Sequence, residues 1–343
     1  MQTEIRKAGP ESMEKAAGLL LSGELVAIPT ETVYGLAATG LDPLAVQKIF
    51  AAKGRPATDP LILHLPSPDL KVAVESGVLA QPIPHCAFHL AKAFWPGPLT
   101  LVLPRGSKVP DEVTSGLSSV AVRYPAHPVA QKLLQRVGVP LAAPSANRFG
   151  RISPTDAEAV REELDGKIPL ILDGGKCETG VESTVLSLLD DEPLILRPGK
   201  ITAAEIGGVL GKAPKTQSLA LQKDNAMPSP GLLESHYAPL TPLYLTDQPI
   251  TQFPAGLEYI HYQSPQKNLE PNRRALCPND DPYSAAQNLY RLLREADAGG
   301  AKAILIEPIP DSPIAPALRD RLHRASSGTA RWDGHRWQFT AKK

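Results

Sequence analysis

The chain has 343 residues, 42% hydrophobic and 21% charged, with 36 basic residues balancing 36 acidic ones. Such a composition excludes a disordered chain and is long enough for two domains with proper cores. Divided at residue 205, neither half is a basic block, so tight, sequence-blind nucleic-acid binding is not expected, though a small basic groove is still allowed.

No apolar run approaches the roughly 20 residues of a membrane span, and Met1-Gln-Thr-Glu-Ile-Arg-Lys7 lacks the apolar stretch of a signal peptide. Cys86, Cys177 and Cys277 are odd in number and far apart. They read as free thiols of a reducing, cytoplasmic compartment rather than as a disulfide framework or a zinc site. The 36 prolines are spread through both halves and imply many rigid turns.

Short β-branched runs alternate with helical patterns, which predicts an α/β protein. A buried strand is expected over residues 25–28, ending at Pro29. Residues 43–53 form a helix, with Asp42 as N-cap and Pro43 in its first position. Further strands are expected over 61–65, 99–103, 120–124 and 170–172, and amphipathic helices over 127–137 and 155–164. Residues 185–189 pair with 194–197 across the turn Asp190-Asp191-Glu192-Pro193. From 206 to 242, prolines 214, 228, 230, 239 and 242 break the pattern, which reads as an interdomain linker. A second α/β unit follows. It has a strand over 257–262, a helix capped by Asp281 and running to about 298, a strand over 302–307 and a helix over 314–325. The expected division is 1–205, 206–242 and 243–343, with no internal repeat.

Five places carry chemistry-bearing side chains. In Pro29-Thr-Glu-Thr-Val-Tyr-Gly-Leu36 a strand ends in hydroxyls, a carboxylate and a phenol, where ligands of open α/β sheets sit; Thr30-Glu31-Thr32 equally suits a helix cap. In Lys53-Gly-Arg-Pro56 two cations flank a glycine, which suits a polyphosphate or, alternatively, a solvated helix end. His64 lies in an apolar strand and by itself reads as a core histidine. Arg123 falls on the strand face opposite Val122 and Tyr124. A buried arginine there needs an anion, either a structural carboxylate or one from a ligand. Ala143-Pro-Ser-Ala-Asn147 with Ser153 is either a turn or a phosphate or ribose contact, and Arg197, beyond Gly180-Val-Glu-Ser-Thr-Val185, binds either a phosphate or an acidic partner. No P-loop pattern, metal-ligand cluster or Ser-His-Asp grouping stands out. The residues alone therefore reach a two-domain α/β protein that binds an anion.

Taken together, the motifs resemble a known family. Pro29-Thr-Glu-Thr-Val-Tyr-Gly-Leu36, Lys53-Gly-Arg-Pro56, Pro60-Leu-Ile-Leu-His64, Trp95-Pro-Gly-Pro-Leu-Thr100, Val122-Arg-Tyr-Pro125, Ala143-Pro-Ser-Ala-Asn147, Ser183-Thr-Val185 and Leu196-Arg-Pro-Gly199 occur in the order of YrdC-like L-threonylcarbamoyladenylate synthases. Pairing of Lys53-x-Arg55 with Ser145-x-Asn147 is similar to the family signature, and the rest of the chain resembles the long, two-domain branch. The resemblance implies a YrdC-like twisted mixed-sheet domain joined by a linker to a smaller Rossmann-like α/β domain.

It also implies a reaction, in which L-threonine and bicarbonate (or CO2) form a carbamate that attacks the α-phosphate of ATP. The products are threonylcarbamoyl-AMP and pyrophosphate, with Mg2+ on the phosphates and no metal held by the protein. A separate transferase complex would pass the threonylcarbamoyl group to tRNA; direct tRNA contact is left open. The resemblance implies a threonine site of Thr32, His64, Arg123 and Ser183. It implies an ATP site of Lys53, Arg55, Asp59, Ser119, Ala143, Ser145, Asn147, Ser153 and Arg197, with Lys53 and Arg55 catalytic and Tyr237 closing over it from the linker. Asp59 stands where asparagine is expected, and Pro230-Gly-Leu-Leu-Glu-Ser-His-Tyr-Ala-Pro239 lacks the basic residues expected before His236-Tyr237. The alternatives are a non-catalytic RNA-binding, translation-associated protein, disfavoured by the charge balance, and a carbamoyl-transfer module of hydrogenase maturation, disfavoured because the chain has no Cys-x-x-Cys pair.

Overall fold

The computed structural model describes residues 2–217, 236–263 and 270–342. They form two compact units. The first takes residues up to 217 except 150–152 and 179–181; those two short segments belong with the second unit, which holds the residues from 236 onward.

The first unit runs β1 (Glu4–Lys7), α1 (Pro10–Leu21), β2 (Val26–Ile28), β3 (Gly35–Thr39), α2 (Pro43–Lys53), β4 (Ile62–His64), α3 (Leu70–Glu75), α4 (His85–Phe94), β5 (Leu99–Pro104), α5 (Asp111–Thr114), β6 (Ser119–Arg123), α6 (Pro128–Val137), β7 (Leu141–Ala142), α7 (Ala157–Leu164), β8 (Leu170–Asp173), β9 (Thr184–Ser187), β10 (Leu194–Arg197), α8 (Ala203–Leu210) and β11 (Lys215–Thr216). Among the described residues its strands make one mixed sheet, ordered β1-β8-β2-β3-β7-β4-β6-β5-β9-β10-β11.

Alternation along the strands divides the core between the two sheet faces. Leu25, Ala27, Leu36, Leu63, Leu101, Val122 and Ile195 enter the larger cluster. Val26, Ile28, Ala37, Leu141 and Leu170 turn to the other face, where residues of α1 and α6 cover them. Farther along the sheet a small cluster of Ile62, Val102, Ala121, Val185 and Leu196 is separate from both. His64 and Arg123 follow two residues after Ile62 and Ala121, on that same face.

Local chemistry explains the helix ends. Asp42 accepts from the Leu44 amide, Pro43 opens α2, and Gly54 closes it at φ 62°. Strands β9 and β10 pair antiparallel as expected. Two readings need correction. No helix follows Thr30-Glu31-Thr32; β3 follows and pairs antiparallel with β2, so the capping reading fails. The expected linker start at 206 falls inside α8, which is begun by a Thr202–Glu205 capping box. Gly207 and Gly208 weaken its helical pattern, whereas the cap is the stronger signal. Residues 218–235 of that linker, including Pro228 and Pro230 to Ser235, lie outside the described residues.

The second unit runs β12 (Leu243–Thr246), β13 (Leu257–His261), β14 (Arg273–Ala275), α9 (Pro282–Ala298), β15 (Ala303–Ile306), α10 (Ala315–Ala325), β16 (Gly328–Trp332) and β17 (Trp337–Ala341). The sheet order is β14-β13-β15-β12-β16-β17, all parallel except for the last strand, which returns antiparallel on β16. Asp281 caps α9 through the Tyr283 amide, with Pro282 at its first position.

Candidate active site

The 30–34 loop is stiffened from within. The Thr30 hydroxyl accepts from the Val33 amide and also lies 2.8 Å from that of Thr32. The Tyr34 hydroxyl donates to the Gly175 carbonyl at 2.8 Å. Burial of that phenol pushes its pKa far up, so it remains a neutral donor.

This loop presents Glu31 and Thr32 to Arg123. The guanidinium donates from Nη1 to the Thr32 hydroxyl at 3.0 Å and from Nε to the Gly97 carbonyl at 3.2 Å. Its Nη2 lies 2.6 Å from Glu31 Oε1, and both side chains are buried. The anion that a strand arginine requires is therefore, in this state, a carboxylate of the protein itself. Glycine is required in this turn: a Cβ at position 97 would stand 2.2 Å from the Phe94 carbonyl oxygen.

Strands β4 and β6 are parallel with His64 opposite Arg123. Burial, followed by the neighbouring Arg123, lowers the His64 pKa to about 3, and its Nδ1 has no hydrogen-bond partner. His64 is therefore a neutral ring beside a fixed cation, in polar contact with the backbone of Ile62 and Leu141.

A second constellation gathers Lys53, Arg55, Asp59, Ser145, Asn147, Ser183 and Arg197. Lys53 leaves the end of α2 and donates its ammonium to the carbonyls of Ser145 and Asn147, both at 2.5 Å. Burial and then Arg55 hold its pKa well below the usual lysine value. Arg55 Nη2 lies 2.9 Å from Asp59 Oδ2. Arg55 also donates to the carbonyls of Asp59 and Pro60. Arg197 donates to the carbonyl and the hydroxyl of Ser183, and that hydroxyl also bonds Thr100 at 2.8 Å. Ser183 thus stands at the foot of the cationic group, although the resemblance assigned it to the threonine side.

Ala143 sends its amide to the Ile62 carbonyl. Ser119 is buried at the start of β6. Ser153 donates its hydroxyl to Glu182 at 2.6 Å. Tyr237 belongs to the second unit. There it is buried at φ 64°, stacked on Tyr290 and edge-on to His236. Gly97 and Thr100 carry no role in their motifs, and Glu31 only that of a strand-end or capping carboxylate. The backbone path that brings them to Arg123 and Ser183 has no signature in spacing.

Residues 18–199 match the family model of Sua5, YciO and YrdC, described as telomere recombination. Residues 201–327 match the threonylcarbamoyl-AMP synthase C-terminal domain. The chain is 41% identical over 324 residues to the threonylcarbamoyl-AMP synthase of Pyrococcus abyssi, covering 91% of this chain and 93% of that one. It is 40% identical to the Bacillus subtilis enzyme of the same name, covering 95% and 96%. The crystal structure of P. abyssi Sua5 complexed with L-threonine superposes with a TM-score of 0.84 at 39% identity, covering 95% and 97% of the two chains. With both parts of the chain matched and relatives aligned along nearly all of it, the chain belongs to the Sua5/YciO/YrdC family of threonylcarbamoyl-AMP synthases, in its two-domain form.

Proposed function

We propose that this chain condenses L-threonine, bicarbonate (or CO2) and ATP into L-threonylcarbamoyl-adenylate, releasing pyrophosphate. One observation carries the reading. A single sheet unit holds both a braced arginine beside a neutral histidine and a cluster of three buried cations, Lys53, Arg55 and Arg197. The first group suits the carboxylate end of an amino acid and the second a polyphosphate.

In this reading Arg123 pairs the threonine carboxylate, with Thr32 and His64 around the substrate and Ser183 at the foot of the cation cluster. His64 is uncharged, so it offers a hydrogen-bonding ring without adding charge repulsion to Arg123. The threonine nitrogen bonds the carbon of CO2 and loses a proton to solvent. A carbamate oxygen then attacks the α-phosphorus, and the bond to the bridging oxygen breaks, with the electron pair leaving on pyrophosphate. Carbamate is already a nucleophile, so the protein's work is positioning and charge neutralisation. Lys53, Arg55 and Arg197 supply the charge, and Ser119, Ala143, Ser145, Asn147 and Ser153 border the nucleotide.

Mg2+ enters as part of Mg–ATP. No group of three or more His, Cys, Asp or Glu side chains gathers among the described residues to hold a metal, and the carboxylate at the cation cluster, Asp59, is engaged by Arg55. The phosphates would thus be the ion's main ligands. The adenylate is a labile mixed anhydride, so a separate transferase that carries it to tRNA is the natural consumer. Three free cysteines, and no helix among the described residues long and apolar enough to cross a membrane, fit a cytoplasmic setting.

The deciding experiment is a pyrophosphate-release assay with each reactant omitted in turn. Release should require threonine and bicarbonate together and fall by most of its value in Arg55→Ala. Release indifferent to threonine would sink the reading.

A further inference from the structure

Asp59 is a carboxylate in the midst of the cations assigned above to phosphate. Its side chain is 2% exposed and its Oδ2 sits 2.9 Å from Arg55 Nη2. The same guanidinium is folded onto its own loop through the Asp59 and Pro60 carbonyls. Lys53 and Arg197 also bear on the Asp59 carboxyl: burial raises its pKa above the usual aspartate value, a rise that Arg55, then Lys53, then Arg197 oppose without cancelling. Asp59 thus neutralises part of a three-cation cluster in which Glu163 also bears on Lys53, and the cations donate to main-chain carbonyls as well.

Buried like charges repel unless an anion lies among them. An incoming triphosphate is such an anion, and Asp59 already occupies that electrostatic position. We propose that Asp59 is a resident counter-anion of the phosphate site, which holds Arg55 while the site is empty and yields it to the triphosphate. The inference rests on the adenylate-forming reading of this site. It follows that ATP and pyrophosphate bind against a carboxylate, which weakens both and speeds release of the product.

The experiment is titration calorimetry of the full chain with ATP and with inorganic pyrophosphate, comparing wild type with Asp59→Asn and Asp59→Ser. L-threonine binding and thermal melting serve as folding controls. The expected result is at least a tenfold lower Kd for both phosphate ligands in each variant, with the threonine Kd within twofold of wild type. A Kd for ATP that rises, or stays within twofold, in a variant that still binds threonine overturns the proposal; a rise would make Asp59 a direct nucleotide contact. Should Asn at this position fail to fold, the serine variant carries the same comparison. Wild type that binds neither ATP nor pyrophosphate would instead overturn the underlying reading of the site.

Discussion

Replacing Gly97 with alanine tests whether the threonine side is aimed by the backbone. The added Cβ would stand 2.2 Å from the Phe94 carbonyl oxygen, whereas real Cβ contacts stay beyond 3.0 Å. The turn must therefore open by about 0.8 Å. Gly97 cannot move alone, because its amide donates to the Tyr124 carbonyl at 2.9 Å and its carbonyl accepts from Arg123 Nε. The displacement passes to the guanidinium. A misplacement of about 1 Å costs on the order of 100-fold in rate, or about 2.7 kcal/mol in barrier. Pyrophosphate release would be measured over a range of threonine at saturating ATP, and then the reverse. The expected result is a loss of that order in kcat/KM for threonine, with KM for ATP within about twofold, since the cation cluster does not use Gly97. A loss below about fivefold, or one shared equally by ATP, refutes the claim that Gly97 aims Arg123.

Three further outcomes follow from the same geometry. Glu31→Gln leaves Arg123 buried without its anion and should cost about 3 kcal/mol of stability in urea unfolding; an unchanged midpoint would show the pair to be dispensable. His64 stays unprotonated in the folded state down to about pH 3, from an ordinary 6.5, so the unfolded chain binds more protons between those values. Stability should therefore fall as pH drops through that window, by about 2 kcal/mol from pH 7 to pH 5. His64→Asn should remove that increment, and parallel pH profiles for the two proteins would contradict the assignment. In Thr100→Val the Ser183 hydroxyl loses its 2.8 Å partner, at a cost of about 1–2 kcal/mol. Because Arg197 rests on Ser183, KM for ATP should rise as well, and a purely thermal effect would place Thr100 outside the site.

Where local chemistry dictates a conformation, the sequence was legible. Asp42-Pro43 and Asp281-Pro282 each announce a helix start, and α2 and α9 begin there. The strand that bears Arg123 was readable because apolar residues alternate around a charge. Less legible was α1, whose Gly9 cap has no side-chain oxygen and relies on Ser12 reaching back to the Gly9 amide. Strand β3, Gly35-Leu-Ala-Ala-Thr39, is composed of small residues with weak strand preference. The candidate site divides in the same way. Cations and hydroxyls announce themselves by type, but Glu31 and Asp59 matter through what they face. Facing is set by a loop path, and no spacing rule encodes that.

The cations of this site share one habit: each donates to main-chain carbonyls, Lys53 to Ser145 and Asn147, Arg55 to Asp59 and Pro60, Arg123 to Gly97, and Arg197 to Ser183. A carbonyl survives almost any substitution of the residue that carries it. Lineages can therefore exchange the side chains at several of these acceptor positions without losing the anchor, provided the chain keeps its course. Sensitivity in a saturation-mutagenesis map should accordingly concentrate on the residues that shape the loops, glycine and proline above all. Transplanting the four cations alone into another sheet would carry the charges without the seats that orient them.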